Sequence, residues 1–106
     1  MTMITTAPDY TNAAQQRILK VLDLLFGYEI NGLAPGEIAK SVNATASSIT
    51  RDLANLVEAG MAEEITDTGR YRITPRLASR VIATLNTFSA AQQKLEELRL
   101  RYTRPL

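Results

Sequence analysis

Between Thr11 and about Phe26 the apolar residues fall at Ala14, Ile18, Val21, Leu22 and Leu25, with Leu19 and Phe26 widening the stripe. This is the period of a helix with one buried face. Thr11 is placed to cap its start, and Gly27 to end it in a left-handed conformation. Tyr28 to Ala34 contains the turn signal Asn31-Gly32. Pro35 then stands where helices accept proline, and the following residues to Ser41 predict a short second helix that buries Ile38 and Ala39. After Val42-Asn43-Ala44, Thr45 caps a third helix running to about Ala59. Its apolar positions are Ala46, Ile49, Leu53 and Leu56, with Gly60 at its end. Two helices joined by three or four residues predict a helix-turn-helix.

Met61 to Ile65 and Arg70 to Ile73 are short β-prone runs on either side of Thr66-Asp67-Thr68-Gly69, the pattern of a hairpin. Thr74-Pro75 opens a further helix that continues to about Tyr102. At seven-residue spacing, Val81, Phe88, Leu95 and Tyr102 form one row and Leu77, Thr84, Ala91 and Leu98 its companion, an imperfect heptad seam. Ser89-Ala90-Ala91-Gln92 fits a capping box, which predicts a break near Thr87. The fold expected is mainly α with a small β-hairpin: a winged helix-turn-helix plus a long C-terminal helix. Residues 1–10 are read as a disordered lead-in, the first six resembling the vector-derived start of bacterial β-galactosidase. Residues 11–78 are read as the winged unit and 79–106 as a dimerisation helix.

Composition narrows the chemistry more than the fold. A chain of 106 residues with 45% hydrophobic and 22% charged residues holds one modest core. It has no cysteine and no histidine, which removes disulfides, the usual transition-metal ligands and the common nucleophile-base pairs. No paired-carboxylate or phosphate-loop spacing appears, so no enzymatic activity, cofactor or metal is expected. The longest apolar run is far shorter than a bilayer requires, and the first residues do not have the form of a secretory signal. A soluble, cytoplasmic protein is expected. Residues 1–69 carry four basic side chains against nine acidic, whereas residues 70–106 carry eight against two. Such asymmetry points to a polyanionic partner or to self-association between unlike surfaces.

The outer face of the third helix is small and polar. Thr45, Ser47, Ser48, Thr50, Arg51 and Asn55 are the residue types with which a helix in the major groove reads base edges and holds phosphates, Arg51 being suited to a guanine. In the hairpin, Arg70 and Arg72 alternate with Tyr71 and Ile73, so a basic strand face is available for backbone or minor groove, extended by Arg76 and Arg80. The alternative is that these arginines pair with Glu63 and Glu64 across the hairpin. Lys40 and Arg51 stand against Glu37, Asp52 and Glu58 between Pro35 and Gly60, a poor balance for a phosphate surface. Weak binding per monomer is therefore expected, and a dimer assembled through Val81, Phe88, Leu95, Leu98 and Tyr102 would compensate.

Glu37-Ile38-Ala39, Ser47 to Leu53, Leu56 to Met61 and Asp67 to Ile73, followed by Pro75-Arg76-Leu77, resemble the DNA-binding domain of the IclR family of bacterial regulators over about residues 14–78. The resemblance implies a double-stranded DNA-binding transcription regulator, and the compact size would suit a phage, prophage or plasmid. Two departures stand out. Ala34-Pro35 replaces the family's usual Ser or Thr cap, and the family's larger effector-binding domain has no counterpart in this chain. The competing expectation is a winged-helix adaptor that binds protein and not DNA.

Overall fold

The computed structural model describes residues 7–105. The chain divides after Ile73 into two compact units. The expected lead-in, residues 1–10, lies largely outside the described residues, and Ala7 to Tyr10 carry no regular structure.

In the first unit α1 spans Ala13–Leu25. Its cap is Asn12 and not Thr11: Asn12 Oδ1 accepts the Gln15 N–H at 3.0 Å, while Thr11 donates from its N–H and hydroxyl to Asp9. Both residues have a suitable oxygen, and the short hydrogen bonds to Asp9 hold Thr11 outside the helix. α2 spans Pro35–Ser41. Ala34 has no oxygen to offer, and the free N–H at this end is met from the other direction: Glu37 Oε1 accepts the Ala34 N–H at 3.1 Å.

α3 spans Ala46–Glu58, with Thr45 Oγ1 accepting the Ser48 N–H. The connection from α2 is a Schellman turn. Asn43 takes φ 53, and Ala44 N–H reaches back to Ala39 C=O at 2.9 Å. Asn tolerates this left-handed conformation better than most residues, so the turn stays short enough to hold α2 against α3.

β1 (Ala62–Ile65) and β2 (Arg70–Ile73) pair antiparallel, with Ala62 opposite Ile73 and Glu63 opposite Arg72. The other edge of β2 is not left open. Leu33 exchanges two backbone hydrogen bonds of 2.8 Å with Tyr71, which ties the α1–α2 connection to the hairpin. Val21 and Leu25 from α1, Leu33, Ile38 from α2, Ile49, Leu53 and Leu56 from α3, and Ala62 and Ile73 from the hairpin form the buried core. Ala46, placed on the buried face by its spacing, is exposed in the first turn.

Gly32 makes the Leu33–Tyr71 pairing possible. It has φ +68, and a Cβ there would stand 2.7 Å from Tyr71 O. Gly69 has φ +72 with open space around it. Gly69→Ala is therefore expected to cost about 1 kcal/mol, the left-handed penalty alone, and Gly32→Ala about 2 kcal/mol or more because the strand must also move. Urea unfolding of the two variants measures the difference.

The second unit is α4, Pro75–Thr103, 29 residues long and capped by Thr74, whose Oγ1 accepts the Leu77 N–H at 3.2 Å. The break expected near Thr87 does not occur. Thr84, Thr87 and Ser89 instead turn their hydroxyls back onto the carbonyls of Arg80, Ala83 and Leu85. A hydroxyl satisfied by the preceding turn does not serve as a cap. No residue of α4 is buried. Among the described residues no helix is long and apolar enough to cross a membrane.

Candidate nucleic-acid interface

α3 packs against α1, α2 and β1 through Ile49, Leu53 and Leu56. At 3.6 residues per turn this leaves Ser47, Thr50, Arg51, Ala54 and Asn55 on the opposite, exposed face. Ser47, Arg51 and Asn55 follow one another at i, i+4 and i+8 in a single row, with Thr50 and Ala54 beside it. The polar groups of this face are partly ordered by the helix itself. Thr50 Oγ1 donates to Ala46 C=O, and Asn55 Nδ2 donates to Arg51 C=O at 2.8 Å, which leaves Asn55 Oδ1 as an acceptor. Thr45 and Ser48 are engaged at the helix start, Thr45 Oγ1 donating to Ser48 Oγ at 2.9 Å. Ser48 is half-buried, so Ser47 is the more accessible hydroxyl of the first turn. Among the described residues Arg51 has neither an ion pair nor a side-chain hydrogen bond.

The neighbouring acid behaves differently from what its charge alone suggests. Asp52 is 4% exposed and lies within the core-facing arc of α3. Arg17 of α1 meets it with two near-parallel hydrogen bonds, Nε to Oδ2 at 2.6 Å and Nη2 to Oδ1 at 2.9 Å. The hydrogen bonds to Asp52 hold the Arg17 guanidinium above its ordinary range. This fork geometry fixes both the distance and the rotation between α1 and α3. The pair is the main feature that spacing alone did not flag. Its signal was present, because Asp52 follows Ile49 by three residues and precedes Leu56 by four, inside the apolar arc.

The basic strip expected along β2 is neutralised. Arg72 Nε lies 2.9 Å from Glu63 Oε2, its cross-strand neighbour. Arg70 Nη2 lies 2.9 Å from Glu37 Oε1 and also donates to Gly32 C=O, while its Nε donates to Asn31 C=O. Arg70 thus fastens the hairpin to the start of α2, and Arg72 fastens one strand to the other. Glu64 is not an arginine partner; it accepts the Tyr71 hydroxyl at 2.8 Å, which raises the Tyr71 pKa. The hairpin tip carries Asp67, exposed. The acidic count near α3 also changes meaning: Glu37 and Asp52 are paired with Arg70 and Arg17, leaving Glu58 of the three acids counted between Pro35 and Gly60. Arg76 and Arg80 lie exposed in the first turns of α4, in the second unit.

A helix-turn-helix followed directly by a β-hairpin, with a further helix after it, is the winged helix-turn-helix fold. Among solved structures the chain is similar to an IclR family transcriptional regulator from Brucella abortus, at 22% identity and TM-score 0.62, over 81% of this chain and 32% of that one. It is also similar to a mutant of MepR from S. aureus, at 23% identity and TM-score 0.50, over 77% of this chain and 64% of that one. The chain therefore spans about a third of the first relative and less than two thirds of the second. No protein-family model and no curated protein matches it. At these identities the likeness is one of fold, and in fold it agrees with the architecture expected from the sequence.

Proposed function

We propose that the protein is a sequence-specific double-stranded DNA-binding transcription regulator that lays α3 in the major groove and acts as a homodimer through α4. The observation that carries the proposal is the exposed row Ser47, Arg51 and Asn55, in which Arg51 is unpaired and Asn55 keeps its oxygen free. Short polar side chains around one unengaged guanidinium suit a helix that approaches base edges closely. Both structural relatives named above carry the same fold, and the first is a transcriptional regulator by name.

Within this proposal Thr45, Ser47, Ser48 and Thr50 share bases and phosphates at the start and middle of α3, and Asn55 contacts a base or phosphate further along. Arg70 and Arg72 reach the backbone or minor groove by exchanging their carboxylates for phosphate. Both side chains are about one-third exposed, and ion pairs at this level of exposure contribute little, so the carboxylate is given up cheaply while the hydrogen bonds to Asn31, Gly32 and Glu29 C=O are kept. Arg76 adds a further phosphate contact from α4.

Selection of bound duplexes from a random pool, followed by mobility shifts from about 50 to 200 mM salt, tests the reading. The expected result is a motif of two symmetric half-sites whose binding weakens steeply as salt rises. A protein that enriches no motif and shifts no duplex at low salt is not a DNA-binding regulator, and the adaptor reading would then replace this one.

A further inference from the structure

Among the described residues, the apolar side of α4 is exposed along its length. Phe88, Leu95 and Tyr102 are 64%, 67% and 82% exposed, and Val81 and Leu98 are both 45% exposed. Leu85, at a flanking position of the same stripe, is 60% exposed. With aromatic side chains of 150–250 Å² each and aliphatic ones somewhat smaller, the six offer roughly 700 Å² per helix. Two copies would cover about 1,400 Å², within the range of about 1,200–2,000 Å² that stable interfaces bury. A second copy of this chain is therefore a sufficient occupant.

The order of residue sizes in the stripe selects an orientation. Along the seam run Leu77, Val81, Thr84, Phe88, Ala91, Leu95, Leu98 and Tyr102. A parallel pair would set like against like, Thr84 on the partner's Thr84 and Ala91 on the partner's Ala91. Two thin layers would then alternate with the thick Phe88 and Leu95 layers, and voids would follow. We propose that the α4 helices pair antiparallel, about a two-fold axis between Phe88 and Ala91. This rests on the reading of α4 as the association element and adds its geometry. Each Phe88 then fills the space over the partner's Ala91, Thr84 lies under the partner's Leu95, Val81 meets the partner's Leu98, and Leu77 meets the partner's Tyr102. Every layer holds at least one large apolar side chain, which is how facing positions interdigitate. Charge weighs little between the two orientations. The parallel pair brings Lys94 beside the partner's Arg99, and the antiparallel pair brings Arg80 beside the partner's Arg101, all at solvent-exposed rims.

The chain has no cysteine, so two full-length variants, Val81→Cys and Leu98→Cys, report the orientation directly. In the antiparallel pair position 81 faces position 98, whereas the two copies of either position lie roughly 25 Å apart along the helices. That separation is far beyond the reach of a disulfide, whose Cα atoms stand within about 7 Å. Oxidation of an equimolar mixture, after exchange of subunits, is expected to give the mixed disulfide nearly alone, and each variant by itself to remain uncross-linked. Homodisulfides of each variant with little mixed product would establish the parallel pair and overturn the proposal. Absence of any cross-link in a protein that sediments as a dimer would overturn it too, placing the interface elsewhere. If the unaltered chain sediments as a monomer, the association reading itself falls, and the pairing geometry with it.

Discussion

Replacing Asp52 by alanine is expected to lower the stability of the first unit by about 2 kcal/mol, because both charge-assisted hydrogen bonds from Arg17, itself about a quarter exposed, are lost. For a folding unit of this size that corresponds to a fall of roughly 10 °C in Tm. Asp52 is almost wholly buried, so its contribution is structural: its two oxygens hold the Arg17 fork at 2.6 and 2.9 Å and so set the angle of α3 on α1. The alternative, that Asp52 is an ordinary charge tolerated at the edge of the core, predicts a change of a few tenths of a kcal/mol. A double-mutant cycle separates the two. If the fork carries the effect, Arg17→Ala and Asp52→Ala combined cost little more than Asp52→Ala alone, because the contact can be removed only once. Strict additivity across the cycle would show that the two side chains act independently.

Asp52→Asn extends the same prediction toward function. The amide keeps the shape of the carboxylate, but presents one N–H₂ group to a guanidinium that has only donors to offer. α3 then loses its fixed rotation while its exposed face is unchanged. Affinity for a selected duplex is expected to fall in this variant although residue 52 touches no nucleic acid, whereas Glu58→Gln, exposed on the same helix, leaves affinity level or slightly raised.

What could be read in advance was what the chain decides locally. The caps at Thr45 and Thr74, the glycines at positions 27, 60 and 69 and the proline at the start of α2 each act within one turn, and they mark element ends because the physics that selects them is short in range. The cap of α1 falls one residue beyond the position that spacing favours, for a local reason as well: Thr11 and Asn12 are both competent, and Asp9 decides between them. The side-chain partnerships were a different matter. The cross-strand pairing of Arg72 with Glu63 follows from the hairpin register and was among the alternatives the sequence offers, but Arg70 is 33 residues from Glu37 and Arg17 is 35 from Asp52, and no spacing rule connects such positions. Once the chain folds, the arginines of β2 bind carboxylates and the carboxylate of α3 binds an arginine. On the outer face of α3, where periodicity places it, Arg51 is left without an ion pair among the described residues. The continuity of α4 through Thr87 was hidden for a further reason, since the hydroxyls that suggested a cap are equally able to bond the turn behind them.

Arg51→Ala is expected to cost the specific complex about 1–3 kcal/mol per half-site, or roughly 5- to 150-fold in affinity for each, while altering non-specific binding only by the loss of one charge. The discrimination comes from geometry: a guanidinium without an intramolecular partner can approach two acceptors on one guanine edge and satisfy both. Arg51→Lys therefore separates charge from geometry. It is expected to restore the salt dependence of the unaltered protein while leaving the preference at one base pair of each half-site relaxed, because an ammonium cannot make the paired contact. Arg72→Ala is the contrasting case: its side chain already has Glu63, so its loss is expected to weaken all sequences alike and by less. Repeating the random-pool selection with each variant reads the base preference, and mobility shifts across the same salt range read the affinity. A motif that stays unchanged in Arg51→Ala, with affinity within about twofold of the unaltered protein, would remove Arg51 from base recognition and with it the central contact proposed for α3.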